Sequence, residues 1–293
     1  MRSAFDGKKI RDEILKDLAD RIVLISHHPI LAEILIGDDS VSKQYAELKK
    51  KMAEKTGIIF NIYTFSDKDS EEEIVQCIEF LNFDDEVNGI MVQIPVPKKF
   101  NRDRLISAIS SKKDVDGLRF CLGLESEFKP PVVLAIVEAL NHSDVISTEP
   151  KASGEISSKD LSALGKPRSR DDKKVVIVGK GFLVGNPLTR ELKKQGVKFE
   201  SIDSSNMHNS ELIIHNSDII ISATGKAGII KPEMIKEGVI LIDAGTAEEN
   251  GEQKGDIDPK CYKKASYYTP VPGGIGPVTV AMLFKNLIDG GQR

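Results

Sequence analysis

The stretch KVVIVGKGFLVG, Lys174–Gly185, decides the fold of this chain. Its first five residues, Lys174–Val178, are typical of a buried strand, and a helical pattern over Asn186–Lys194 follows the glycines. Glycines at the junction of a strand and a helix let backbone N–H groups approach a phosphate at the helix N-terminus. The stretch therefore predicts an α/β unit of the nucleotide-binding kind.

Three features support a dinucleotide-binding domain. Gly179, Gly181 and Gly185 form a GxGxxxG turn, and Asp203 ends the next predicted strand, Val197–Ile202. In Rossmann domains a carboxylate at this position, about 20 residues after the glycines, binds the ribose. The alternative is a tight turn used only for packing. Two more predicted strands, Asp218–Ser222 and Gly238–Asp243, continue the pattern, and a last helix ends near Ile288.

The first half of the chain also alternates strands and helices, which predicts a parallel sheet covered on both faces. We expect Ser40 to cap its helix and Gly57 to end it, and Ser70 with Glu73 to form a capping box. The predicted elements are the strands Leu31–Ile36, Ile58–Phe65 and Gly89–Ile94 and the helices Asp12–Ile22, Ser40–Lys55, Ser70–Leu81 and Asn101–Ser110.

A polar segment, Ser143–Asp172, separates the two halves. We interpret it as a surface excursion or interdomain linker, because long segments without a period are unusual inside a domain. We expect part of it to be helical around Lys159–Leu164. The predicted division is a folate or catalytic domain over residues 1–142, the polar segment 143–172, a Rossmann domain over 173–268 and a C-terminal segment 269–293.

The composition of the chain argues against several classes of partner. The 293 residues are 40% hydrophobic and 29% charged, with a net charge of −4, which argues against a nucleic-acid or anionic membrane partner. No apolar run approaches the roughly 20 residues that span a bilayer. The N-terminus lacks an apolar signal core, and Cys77, Cys121 and Cys261 have no zinc spacing, so we expect a cytoplasmic protein without a metal.

Four stretches contain candidate catalytic or ligand-binding residues. Tyr45 and Lys49 are one helical turn apart and could transfer protons, although Lys49 also begins a three-lysine run typical of a solvated face. Gln93 is polar within an apolar strand and either orients an ionisable group or satisfies the backbone. Lys113–Gly117 is a carboxylate-bearing turn, and Thr269–Pro277 suits either a ligand wall or a rigid hinge.

These stretches, in this order, resemble the bifunctional methylenetetrahydrofolate dehydrogenase/methenyltetrahydrofolate cyclohydrolase family, the FolD type. The resemblance extends from Asp6 to the last helix, and its most specific motif is Thr269–Thr279. It implies two α/β domains with a cleft between them, a last helix that packs on the N-terminal domain, and a homodimer joined through the nucleotide domains.

The resemblance also assigns roles. Lys49 matches the catalytic lysine, Tyr45 a tyrosine near the pterin, Gln93 the glutamine that holds the lysine, and Asp116 the aspartate that binds the pterin. Pro272, Gly273 and Gly274 match the loop that lines the folate site. In the implied chemistry, a methylene carbon gives a hydride to a nicotinamide, and an uncharged lysine amine then passes protons as water opens the methenyl product. A neutral Gln93 suits this role because a carboxylate beside the lysine would hold it charged.

The cofactor site departs from the family pattern. Lys180 replaces an arginine that commonly serves a 2′-phosphate, and Asp203-Ser204 replaces a His-Ser pair. Lys180 and Ser204 favour NADP and Asp203 favours NAD, and we expect NADP. The predicted cofactor-binding residues are Gly179, Lys180, Gly181, Val184, Gly185, Asp203, Ser204, Ala223, Thr224, Gly225, Gly245 and Thr246.

A second departure is Pro130–Val133, which replaces a Pro-Cys-Thr-Pro loop that lies near both ligands in the family. Two alternatives to the bifunctional enzyme therefore stay open. One is a cyclohydrolase whose dehydrogenase activity is lost through the altered cofactor turn. The other is a non-catalytic dinucleotide or folate sensor, against which the presence of Tyr45, Lys49, Gln93 and Asp116 argues.

Overall fold

The computed structural model describes residues 2–25, 27–143, 173–203, 205, 210–249 and 251–290. Most of the predicted polar segment, residues 144–172, lies outside them, as does its predicted helical part. The chain forms two compact units. The first contains Met1–Ile10 and Val132–Thr279, and the second contains Arg11–Pro131 and Val280–Arg293. Residues 1–10 and 132–142 thus group with the nucleotide-binding strands, whereas the four-part division drawn from the sequence stays a prediction.

Helices and strands alternate along most of the described chain. The helices are α1 (Gly7–Ile22), α2 (Ser40–Thr56), α3 (Glu71–Phe83), α4 (Arg102–Ala108), α5 (Leu118–Leu122), α6 (Pro131–His142), α7 (Gly185–Lys194), α8 (Glu211–His215) and α9 (Ile275–Gly290). The strands are β1 (Ser3–Ala4), β2 (Ile30–Ile36), β3 (Ile59–Phe65), β4 (Val87–Val92), β5 (Val175–Val178), β6 (Glu200–Ile202), β7 (Ile219–Ser222), β8 (Ile240–Asp243), β9 (Ala247–Glu249), β10 (Glu252–Lys254) and β11 (Tyr267–Tyr268).

The first unit is built on a six-stranded parallel sheet in the order β1-β11-β8-β7-β5-β6. Every residue of β5, β7 and β8 is buried, as expected for parallel strands covered on both faces. The doubly covered α/β architecture is therefore confirmed. The edge strand β1 was not predicted, because two residues are too short to show a period.

The second unit has a three-stranded parallel sheet in the order β3-β2-β4. The central strand β2 places Glu33 opposite Ile62 on β3 and opposite Met91 on β4. The C-terminal part of α9 belongs to this unit. Its Asn286 Nδ2 donates to the carbonyl oxygens of Val115 (2.8 Å) and Lys129 (2.9 Å), which confirms that the last helix packs on the N-terminal domain.

Capping residues fix both ends of α2. Asp39, and not Ser40 as predicted, is its N-cap, because the Asp39 carboxylate reaches the backbone N–H of Ser42 at 2.7 Å. Ser40 is already in the helix. Gly57 ends the helix with a φ of 90°, as predicted. The capping box predicted at the start of α3 is also present. In the described part of the chain, no helix combines the length and apolarity needed to cross a membrane.

Candidate active site

Lys49 lies on the buried face of α2, although two lysines follow it directly. The side chain of Lys49 is buried, with the residue 7% exposed, whereas Lys51 is exposed. The solvated-face interpretation therefore fails for Lys49. The reason is helical periodicity, since the buried positions of α2 recur every three or four residues: Ser42, Ala46, Lys49, Ala53 and Thr56.

The Lys49 amine is held by groups from β4 and the loop that follows it. Lys49 Nζ donates to Gln93 Oε1 at 2.7 Å, and Met91 Sδ lies 3.8 Å from Nζ. The Gln93 Nε2 in turn donates to the carbonyl oxygen of Ile94 at 2.7 Å, which turns its oxygen towards the lysine. The predicted contact between Lys49 and Gln93 is thus formed in the second unit.

Glu33 is a neighbour of Lys49 that sequence reasoning missed. Its carboxylate accepts a hydrogen bond from Lys49 Nζ, and the residue is fully buried. Burial raises the pKa of Glu33, and the positive charge and hydrogen bond of Lys49 oppose that increase. The amine therefore has a carboxylate neighbour that was not predicted, in addition to the predicted neutral amide of Gln93. The signal was the single acidic residue within the apolar strand ILAEILI.

Asp116 shares the electrostatic environment of this pair. Burial raises its pKa to about 7, Lys49 opposes the shift, and the charges of Asp114 and Glu33 add to it. Asp114, the other carboxylate of the turn, has a structural role. It accepts hydrogen bonds from the N–H groups of Leu118 and Arg119, both at 2.9 Å, and so holds the start of α5.

Tyr45 occupies a different environment from Lys49. It lies one helical turn before Lys49 on α2 and is 40% exposed. The second unit therefore brings Lys49, Gln93 and Asp116 together with Glu33 and leaves the tyrosine ring partly open to solvent. Such a cluster can hold, accept and return a proton.

The predicted phosphate turn lies in the first unit, between β5 and α7. Gly179 has a φ of 107°, and a Cβ there would collide with the carbonyl oxygen of Ala223. A Cβ on Gly185 would collide with the Gly179 carbonyl oxygen, whereas one on Gly181 would meet nothing closer than 3.8 Å. Val184 precedes α7 without a side-chain cap. The turn is thus tight on one side and open at Gly181, which fits a pyrophosphate bound by backbone N–H groups.

Two buried aspartates support the remaining cofactor loops, and sequence reasoning missed both. Asp256 accepts hydrogen bonds from Ser222 Oγ (2.7 Å), from the Thr224 N–H and from the Lys226 N–H (3.0 Å). Asp243 accepts from the Gly245 N–H at 3.1 Å. Burial raises the pKa of Asp243 to about 7. The predicted residues on these loops, which follow the adjacent strands β7 and β8, are Ala223, Thr224, Gly225, Gly245 and Thr246.

Asp203 lies after β6 among positive charges. Its carboxylate accepts hydrogen bonds from Ser205 N–H (2.9 Å) and Ser205 Oγ (2.8 Å), and these bonds lower its pKa. The charges of Lys180 and Lys226 lower it further. Lys226 was not among the predicted residues, because nothing in the sequence links it to Asp203. The predicted Ser204 lies outside the described residues.

The predicted folate loop also belongs to the first unit. Pro272 and Gly273 are in a turn before α9, and Gly273 has a φ of 105° with open space on its Cβ side. A Cβ on Gly7 would collide with the Gly274 carbonyl oxygen, so the start of α1 packs closely on this loop. The assigned roles of Pro272, Gly273 and Gly274 stay predictions.

Comparison with known proteins agrees with this arrangement. Sequence models of tetrahydrofolate dehydrogenase/cyclohydrolase match residues 5–116, as the catalytic domain, and residues 165–293, as the NAD(P)-binding domain. The bifunctional protein FolD of Staphylococcus aureus is 34% identical over 97% of this chain and 94% of its own length.

Solved structures agree as well. The bifunctional FolD of Campylobacter jejuni has a TM-score of 0.86 and 31% identity, over 100% of this chain and 99% of its own. The Trypanosoma brucei FolD, solved with NADP and an inhibitor, has a TM-score of 0.84 and 27% identity, over 100% and 98% of the two chains. The chain therefore belongs to the tetrahydrofolate dehydrogenase/cyclohydrolase family.

Proposed function

We propose that this protein oxidises methylenetetrahydrofolate to methenyltetrahydrofolate with NADP and then hydrolyses the product to 10-formyltetrahydrofolate. The observation that carries the proposal is the enclosed Lys49 amine, which contacts Gln93 and Glu33 within the catalytic domain. The phosphate turn of the NAD(P)-binding domain supports the first reaction. An amine held between two acceptors supports the second.

In the first reaction the nicotinamide, when bound, accepts the hydride from the methylene carbon. The contribution of the chain is to orient the two reacting rings and to keep them in contact. For the cofactor, this role falls to the turn Gly179–Gly185 and to the loops held by Asp243 and Asp256. For the folate, we assign it to Tyr45 and Asp116 and to the loop Pro272–Gly274.

In the second reaction water adds to the methenyl carbon. The Lys49 amine takes one proton of that water and returns a proton to the ring nitrogen as the carbon–nitrogen bond breaks. The hydroxyl proton leaves as the formyl carbonyl forms, so that one proton is released overall. Gln93 supports the step because its oxygen, oriented by the bond from Nε2 to Ile94, holds the amine in place.

NADP is the cofactor that the charges around Asp203 favour. Lys180 and Lys226 both act on that carboxylate, so two positive charges offset the single negative one that would repel a 2′-phosphate. Parallel kinetics with NADP and NAD test the assignment. We expect Lys226→Met to raise the KM for NADP more than the KM for NAD, with Lys260→Met as the control. A strong NAD preference of the unmodified enzyme would reverse the assignment.

The same proposal includes a cytoplasmic homodimer joined through the nucleotide-binding domains. Its support is the family pattern, and sedimentation of the purified protein tests the oligomeric state. The sensor and the cyclohydrolase-only alternatives are not favoured, since both family domains are present and both sites have the required groups.

One assay tests the whole proposal. Methylenetetrahydrofolate is mixed with each nicotinamide cofactor, and the reduced cofactor and the methenyl intermediate are followed by absorbance. We expect the reduced cofactor to accumulate while the methenyl compound forms and then decays. Reduced cofactor without methenyl decay would mean that the protein has only dehydrogenase activity. Decay of added methenyl compound without cofactor reduction would mean that it has only cyclohydrolase activity.

A further inference from the structure

Glu33 and Lys49 form a buried pair in which one carboxylate oxygen of Glu33 has no hydrogen-bond partner among the described residues. One carboxylate oxygen, Oε1, accepts from Lys49 Nζ, whereas the other, Oε2, is buried and has no hydrogen-bond partner among the described residues. An ionised carboxylate with one oxygen unsatisfied is costly in the protein interior. A neutral carboxyl group whose O–H donates to the lysine nitrogen leaves only a carbonyl oxygen unsatisfied, at a smaller cost.

The groups that face this pair are few. Across the sheet, β3 and β4 place the uncharged Ile62 and Met91 beside Glu33. Asp116 interacts electrostatically with both members of the pair, and the charge of Asp114 acts in turn on Asp116. The described titrating group that interacts with both members of the pair is therefore an acid, Asp116.

We propose that Glu33 is a positioning residue that takes the Lys49 proton within the buried pair, so that the uncharged amine forms without a proton leaving the site. The transfer converts an ammonium and a carboxylate into an amine and a carboxylic acid. The two opposite charges cancel and the net charge stays zero, because the pair holds one proton before and after. The proposal rests on the proposed hydrolysis, in which the uncharged amine accepts a proton from water.

This exchange has a consequence for pH dependence. The ion pair and the neutral pair contain the same number of protons, so their ratio does not change with pH while the pair holds one proton. Without Glu33, the uncharged amine forms only by loss of a proton to solvent. Its population then rises about tenfold per pH unit until the lysine is mostly uncharged.

The test compares methenyltetrahydrofolate hydrolysis by the full-length wild type, Glu33→Gln and Glu33→Val from about pH 5.5 to about pH 8.5. The uncatalysed rate is subtracted at each pH. Asp116 titrates in all three proteins, and its pKa is lower in both variants because Glu33 no longer raises it. That shift alone would make the ratio of variant to wild-type rate fall with pH, so it does not account for a rise. We expect this ratio to rise about tenfold per pH unit from the acidic end for both variants. Valine suits a buried strand, so Glu33→Val keeps the test available if the glutamine variant folds poorly.

Two controls separate proton exchange from a structural role. Glu33→Asp keeps the carboxyl group and should keep a pH-independent ratio, at a lower rate because the side chain is shorter. Glu138→Gln removes another buried carboxylate, the one 3.1 Å from His142 Nε2, and should also keep a flat ratio. Folded Glu33→Gln and Glu33→Val proteins with a flat ratio would overturn the inference. A wild type that does not hydrolyse the methenyl compound at all would instead contradict the proposed function.

Discussion

The two functional regions of this molecule use buried charge in opposite ways. In the proton-transfer cluster, which is Glu33, Lys49 and Gln93, the buried charged side chains are themselves the proposed reactive groups. In the cofactor loops, the buried carboxylates of Asp243 and Asp256 hold backbone N–H groups in place and leave ligand binding to the backbone. We therefore expect removal of charge to impair the first region. In the second region, we expect added side-chain volume and lost hydrogen bonds to impair stability and cofactor binding.

Replacing Lys49 tests the first region and should have the largest effect. We expect Lys49→Met to lower methenyl hydrolysis by about 10²–10⁴-fold, because the group that carries the proton is lost. The free energy of unfolding should fall by about 3–5 kcal/mol, because Glu33 is left buried without its partner. Cofactor binding should not change. Absorbance assays, denaturant unfolding and cofactor titration measure the three quantities.

Two further variants sharpen this result. The double variant Lys49→Met with Glu33→Val removes both charges, so stability should recover while hydrolysis stays lost. Lys51→Met changes an exposed lysine two residues away and should affect neither quantity. Substantial hydrolysis by Lys49→Met would remove the catalytic role of this lysine.

Two separate glycine-to-alanine substitutions test the phosphate turn. Gly185→Ala should lower the free energy of unfolding by about 1–3 kcal/mol, because the Cβ meets the Gly179 carbonyl oxygen. Gly181→Ala should leave the melting temperature unchanged, since nothing lies within 3.8 Å of its Cβ, but should raise the KM for the cofactor. Equal losses of stability in the two variants would contradict the idea that the turn is open at Gly181.

An effect similar in size to that of Gly185→Ala is expected from the support of a cofactor loop. Asp256→Asn replaces one acceptor oxygen with an amide donor, so at least one of its three hydrogen bonds is lost, which costs about 1–3 kcal/mol. We expect a higher KM for the cofactor and unchanged hydrolysis of added methenyl compound. Asp258→Asn is the matched control, because Asp258 accepts from the Lys260 N–H and not from the cofactor loop. A similar KM in the two variants would argue against a role for Asp256.

Much of the fold followed from local patterns in the sequence. The alternation of strands and helices, the capping box of α3 and the end of α2 at Gly57 all depend on residues close in the chain, so they were predictable. The wrong or missing predictions arose where the structural preference of one residue is overridden by another part of the chain. Ser40 is a good cap by type, but Asp39 reaches the backbone first. The strand β1 forms only because β11 offers an edge with which it can pair.

By itself, the sequence determined the two α/β parts and the glycine turn, because periodicity and residue type report backbone conformation and burial. The roles of Lys49, Gln93 and Asp116 were predicted from the resemblance to a known family. Only the tertiary structure decided that Glu33 contacts Lys49, and that Asp256 supports the loop after β7. Such contacts join residues far apart in the chain, and strand register and helix packing select which buried charges meet. Local patterns contain no information about that register.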